Sequence, residues 1–194
     1  MAQEATDIVS TERMRQELFL PAPEFEPDLG AETNSMLDRH IKSAVDICSG
    51  FLGMALIDIT DWKVFPVPKA LYDTEAIVIP QSRFVKNVGS FGYWKYGEIA
   101  SVEPKNYIDG YTFERNKRTA LGYIYPDTPW PKGIRLFGAE VSEGWEAGFY
   151  GAETVALCVV LLAKDLYNNV PIKTDAMHPV SLLLQPLVGA KVVA

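Results

Sequence analysis

Cysteine and histidine are nearly missing from this sequence: two of each in 194 residues. Cys48 and Cys158 cannot build a disulfide-dense secreted scaffold, nor a multi-cysteine zinc or iron–sulfur site. His40 and His178 have no second histidine or cysteine at ligand spacing, so no metal site is expected. The glycine-rich nucleotide loops, the His-Glu-x-x-His zinc helix and the Gly-x-Ser-x-Gly elbow are all absent. So are long apolar runs. The longest, Val155 to Ala163, has nine residues, against the roughly 20 that span a bilayer. Positive charge is short as well, with 18 basic residues against 25 acidic and a net charge of -7. A phosphate-binding surface needs the opposite balance, which disfavours a free nucleic-acid-binding module. Together these absences predict a chain that is not an enzyme, has no catalytic residue, metal or cofactor, and meets no membrane. Met1 to Thr11 are polar and acidic, unlike a signal peptide, and the reading is a protein made in a reducing cytoplasm.

What is present is an ordinary globular composition, 48% hydrophobic and 22% charged, in a chain large enough to need no staple. The charge is unevenly spread. Residues 1–32 carry eight acids and two bases, and the remainder is nearly neutral. The expected organisation is an acidic N-terminal arm at 1–34, a domain at 35–188 and a C-terminal docking tail at 189–194. Within the arm, Thr11 to Leu18 fit a short helix, and Pro21, Pro23, Pro27 and Gly30 break regular structure. Leu18, Phe19 and Leu20 form an apolar plug that suits docking, on this chain or on a neighbour.

Leu37, Ile41, Ala44, Val45, Cys48, Phe51 and Leu52 recur at helical spacing and predict a helix over 35–52, ended by Gly53. Residues 54–150 read as a β-rich insertion, because short β-branched and aromatic stretches alternate with Gly, Pro, Asn and Asp. The stretches are Ala55–Ile59, Ala76–Ile79, Phe84–Val88, Tyr107–Phe113, Leu121–Tyr125, Ile134–Phe137 and Val141–Trp145. A second helix is expected at 152–167 and a short one at 179–185, with Pro179 at its start. The fold class is therefore α+β: a small helical bundle with an inserted short-stranded β region, an extended N-terminal arm and a C-terminal tail.

The helix at 152–167 is apolar on all sides, and a domain this small rarely surrounds such a helix alone. Val155, Val159, Leu162 and Leu166, with Leu183 of the next helix, are thus expected at a subunit interface. Leu187, Val188, Lys191, Val192, Val193 and Ala194 form an apolar tail that asks for a docking site. Phe91, Tyr93, Trp94 and Tyr96, among the glycines of 89–97, suggest a loop facing a partner. An alternative function follows from that loop, a small carbohydrate- or nucleic-acid-binding module that stacks sugars or bases on its rings. Packing in a hairpin or against a protein is the more usual fate of such rings. The remaining chemical candidates have ordinary readings. Cys48 and Cys158 are core residues, His40 is a surface residue, and the pairs Asp58/Asp61 and Asp175/His178 are turn residues. Arg115 to Arg118 form a basic hairpin tip.

The order of motifs carries a resemblance. Leu37-Asp38-Arg39-His40-Ile41-Lys42-Ser43-Ala44-Val45 precedes the β region, which closes in Val141-Ser142-Glu143-Gly144-Trp145-Glu146-Ala147-Gly148-Phe149. The helix Ala156 to Asn169 follows, and then His178-Pro179-Val180-Ser181-Leu182-Leu183-Leu184-Gln185-Pro186-Leu187. Across residues 35–188 this resembles the head–tail connector (adaptor) proteins of tailed bacteriophages, the family of HK97-type connectors and gene transfer agent adaptors. The resemblance implies a structural virion protein of the neck, self-assembled into a ring, usually of twelve copies. The ring would lie between the portal protein and the stopper or tail-completion protein. It also implies a C-terminal segment docked on the portal, and genomic DNA passing through the lumen without specific binding. An acidic lumen would suit that passage, since like charges repel.

Overall fold

The computed structural model describes residues 3–25, 30–68, 75–79, 85–116, 121–172 and 179–188. They fall into two units. One is built from the two ends of the sequence, up to Ile57 and from Trp145, and the other from Asp58 to Gly144. Among the described residues the regular elements of the first are helices and those of the second are strands, so the class is α+β.

The helical unit is organised by α3 (Gly30–Leu52), which starts five residues before the expected boundary at 35. Leu37, Ile41, Ala44, Val45, Cys48 and Leu52 are buried at intervals of three and four, as its apolar stripe requires. Gly30 begins it because Pro23 lies close: a Cβ there would sit 3.2 Å from the Pro23 carbonyl oxygen. The described part of the arm is not extended. It folds as α1 (Ala5–Ile8), α2 (Thr11–Glu17) and a 3-10 turn (Pro23–Phe25), all of which touch α3. The cause is local capping plus a few buried anchors. Ser10 Oγ accepts from Arg13 N–H at 3.1 Å at the start of α2, and Ile8, Val9 and Met14 are buried. Arg15, also buried, donates from Nη1 to Asn34 Oδ1 at 2.9 Å and from Nε to the Pro21 carbonyl at 2.9 Å.

α4 (Ala152–Tyr167) packs on α3, α2 and the short α5 (Pro179–Leu184). Three helices end in the same left-handed cap. The C-terminal position is held by Phe19 (φ 55°), Gly53 (φ 64°) and Asn169 (φ 54°). The next residue's N–H returns to a carbonyl of the last turn: Leu20 to Arg15, Met54 to Ser49 and Val170 to Asp165. The 3-10 turn Gln185–Leu187 follows α5, and Leu187 packs against Gly151 at the start of α4.

The strand unit holds two antiparallel sheets. One is ordered β1 (Ile59–Pro66), β7 (Ile134–Glu143), β3 (Val85–Lys95), β4 (Asn106–Tyr107), and the other β2 (Ile77–Val78), β6 (Gly122–Pro126), β5 (Tyr111–Arg115). Its core is aromatic. Phe91 stacks on Phe137 with centroids 5.4 Å apart, and Trp130 meets both edge-on. Trp130 Nε1–H is satisfied by the Glu75 carbonyl at 2.8 Å. Two sequence expectations change here. The segments 134–137 and 141–145 are joined in one strand that passes through Gly138 and ends at Glu143, and the expected strand at 55–59 gives way to β1. Glycines read as breakers instead mark close approaches within strands. Gly92 and Gly138 are directly paired across β3 and β7. A Cβ on Gly138 would lie 2.8 Å from the Trp94 ring, and one on Gly92 would lie 2.3 Å from the Asn106 carbonyl oxygen.

Candidate assembly surfaces

The chemically capable side chains are spent on structure. Cys48 and Cys158 are both buried. Burial, and then the neighbouring Cys158, push the Cys48 thiol up to about 12, and burial pushes Cys158 up to about 11. Neither supplies a thiolate nucleophile near neutral pH. His40 meets the Tyr167 ring edge-on at 6.3 Å, on the helical unit. Asp58 is taken by the Lys86 ammonium, and the Asp61 carboxylate accepts its neighbour Trp62's N–H at 2.7 Å. Asp175 and His178 lie outside the described residues, as do Lys117 and Arg118 of the basic cluster. Among the described residues, no group of three or more His, Cys, Asp or Glu side chains is gathered as metal ligands. No described helix is long and apolar enough to cross a membrane.

The aromatic segment is a strand, which corrects the loop reading. Phe91 and Trp94 lie in β3 with no exposed surface, Tyr93 is half-buried in the same strand, and only Tyr96, in the following turn, is open to solvent. Pairing with β7 turns Phe91 into the aromatic core, where its ring is worth more than on the surface. Four rings arrayed for stacking a sugar or a base are not present. The strand unit does hold an open groove of about 550 Å3, bounded by residues of 87–91 and 107–113. Tyr111 crosses it to donate its hydroxyl to the Gly89 carbonyl at 2.8 Å. Burial, then the Glu140 carboxylate, raise that phenol's pKa.

The expected subunit-interface residues are mostly internal. Val155, Val159 and Leu162 have no exposed surface, because α2, α3 and α5 of the same chain cover α4. Leu166 is half-buried, and Leu183 remains exposed beside Leu182. The uncovered stripe of α4 instead shows Leu157, which sequence periodicity could not single out in a helix apolar on every side. The tail divides in the same way. Leu187 is buried against Gly151, Val188 is exposed, and Lys191, Val192, Val193 and Ala194 lie outside the described residues.

Exposed apolar side chains concentrate elsewhere. In the segment joining β3 to β4, Tyr96, Ile99 and Val102 are 76%, 83% and 72% exposed, and Tyr107 follows on β4. The segment is anchored, not loose. Glu98 accepts from the Lys95 N–H at 2.6 Å and from Asn106 Nδ2, Ser101 donates to the Glu103 carbonyl, and Pro104 is buried over Gly92. At the other end of the same sheet, β1 exposes Ile59 and Val64.

No family model matches the sequence, and no curated protein matches it. Its fold does have counterparts. A chain from the neck of an empty gene transfer agent (GTA) particle, computed with C6 symmetry, aligns over 100% of this chain and 98% of its own, with a TM-score of 0.60 at 19% identity. The chain shares the fold of a GTA neck protein. A chain from the neck of a native GTA particle, computed with C12 symmetry, gives a TM-score of 0.47 at 17% identity, with the same coverage. The neck-protein fold is the one the order of sequence motifs pointed to. Within it, Phe91, Trp94, Val155, Val159, Leu162 and Leu187, nominated from the sequence as surface, are buried, while the nominated Tyr96 is exposed. Beside Tyr96, the exposed apolar residues Ile99, Val102 and Tyr107 and those of the β1 edge were not nominated.

Proposed function

We propose that this chain is a structural protein of the neck of a phage-like particle, one subunit of a ring that joins the portal to the stopper or tail-completion protein. The reading rests on one observation, the fold shared over the full chain with a protein of a symmetric GTA neck. The ring has about twelve copies on the resemblance-based reading and continues the DNA channel. Genomic DNA passes without specific binding, in keeping with a net charge of -7. The chain acts by binding and not by catalysis, is made in the host cytoplasm and resides in the virion. Portal docking falls to Val188 and the residues after it, since Leu187 is occupied at Gly151. Of the residues read as a subunit interface, Leu183 and Leu166 keep surface for a neighbour.

The test is location. A small tag on the N-terminal arm, detected by gold on purified particles, is expected at one vertex, where head meets tail. Tagged protein found only in the soluble lysate, with complete but unlabelled particles, would sink the reading. Removing residues 189–194 is expected to abolish attachment to the neck while leaving the melting temperature unchanged.

A further inference from the structure

We propose that neighbouring copies of this chain join edge to edge through the four-stranded sheet, the β1 edge of one copy meeting the β4 edge and the 96–107 segment of the next. The proposal deepens the ring reading and rests on it. β1 and β4 are the two ends of one sheet, and among the described residues no strand pairs with the outer side of either. A long open edge is a template for another chain, and proteins that stay single blunt it with a bulge, a mid-strand proline or a free lysine. β1 has none of these. Its register with β7 runs unbroken over eight pairs, its proline is the last residue, and its one lysine, Lys63, is held by the Glu143 carboxylate. The irregularities of this sheet fall between β3 and β7 instead.

The two edges also match in chemistry. The β1 edge offers exposed Ile59 and Val64 and the exposed acid Asp61. The β4 edge is a two-residue strand flanked by exposed Tyr96, Ile99, Val102 and Tyr107, and its exposed Lys95 and Lys105, in no ion pair among the described residues, would keep it from pairing with a copy of itself while suiting the acid of β1. The two tyrosines alone can bury roughly 300–500 Å2, a large share of the roughly 800 Å2 per partner that a specific interface buries. A contact between two different surfaces of one chain is head-to-tail, and it generates a ring when the rotation closes. The occupant of each edge is therefore a second copy of this chain.

The experiment measures mass in solution, by mass photometry or light scattering, on the full chain and two edge variants. Ile99→Glu with Val102→Glu blocks one edge, and Ile59→Lys with Val64→Lys blocks the other. All four side chains are exposed, so the circular dichroism melt should be unchanged. Ile99→Glu alone keeps the test standing should the lysines disturb the sheet. Wild type is expected to form large closed species and each variant to lose every species above the monomer. A mixture of the two variants should form dimers and nothing larger, since only one compatible pair of edges remains. A mixture that stays monomeric overturns the pairing of these edges. Variants that still assemble like wild type overturn the edge contact and leave the ring reading standing. A wild-type chain that is monomeric at every concentration overturns the edge contact, and the ring reading is then decided by the location of the tag.

Discussion

Gly151 and Leu187 occupy adjoining space: a Cβ added to Gly151 would lie 2.4 Å from one Leu187 methyl and 2.8 Å from the other. Gly151 also has φ of 82°, in the left-handed region that favours glycine. The start of α4 is thus locked to the chain's last 3-10 turn. Gly151→Ala is expected to cost about 2–4 kcal/mol, from strain and overpacking together. Leu187→Ala should cost about 2–3 kcal/mol from the cavity alone. The double variant should lose less than the sum of the two, because the alanine methyl then has room. Urea titration of the four proteins gives the coupling, and strict additivity would contradict the contact.

Phe19 pays for a cap that glycine would make freely. It stands at φ 55° and is 94% exposed, so its side chain contributes almost nothing to the folded unit. Phe19→Gly should raise stability by about 0.5–1 kcal/mol, the relief of left-handed strain less the added freedom of the unfolded chain. Thermal melts read the change, and a loss of stability would mean that the ring has packing partners.

Gly92 and Gly138 face each other across β3 and β7 but differ in what crowds them. Gly92→Ala meets the Asn106 carbonyl oxygen, which is backbone and cannot step aside. Gly138→Ala meets the far edge of the Trp94 ring, which can tilt. The first is expected to cost more than the second, with both in the range of about 1–3 kcal/mol. Only the second should visibly alter tryptophan emission with the fold intact, and equal costs would contradict this account.

The two thiols set an alkaline limit. Their pKa values are raised from 9.0 to about 12 for Cys48 and about 11 for Cys158, by burial first in both cases. Below pH 9 both folded and unfolded thiols are protonated, and they impose no pH dependence. Above it the unfolded thiols ionise while the folded ones stay neutral. The unfolded state is then favoured by roughly 1.4 kcal/mol per pH unit for each thiol. The fall continues until pH 11 for Cys158 and pH 12 for Cys48. Denaturant midpoints between pH 8 and 11 should show this slope, and Cys48→Ala should reduce it by about half between pH 9 and 11. An unchanged slope in that variant would assign the alkaline loss to other groups.

The helices were legible because their signals are local. The stripe from Leu37 to Leu52, the stop at Gly53 and the proline at 179 all act within a few residues, whereas the left-handed cap at Phe19, read only as part of an apolar plug, has no such local signal. The sheet was legible in composition and less so in connection. Gly89, Gly92 and Gly138 look like breaks until the fold shows that Glu140 needs the space at the first, Pro104 at the second and Trp94 at the third. The assembly surfaces were least legible. Val155 and Leu157 read alike in sequence, and only packing by α2, α3 and α5 hides one and leaves the other. Ile99 and Val102, scattered singly between glutamates, carry no periodic signal, and their exposure follows from how Glu98 and Pro104 fix the segment. The edge of β1 has no sequence signature at all, since an edge is defined by strand order.

Cys48 and Cys158 lie on α3 and α4, the pair of helices whose contact organises the helical unit. Both thiols being buried, neither is expected to react with a thiol reagent in neutral solution while the chain stays folded. Labelling therefore waits for these helices to part, and its rate becomes a clock for that opening.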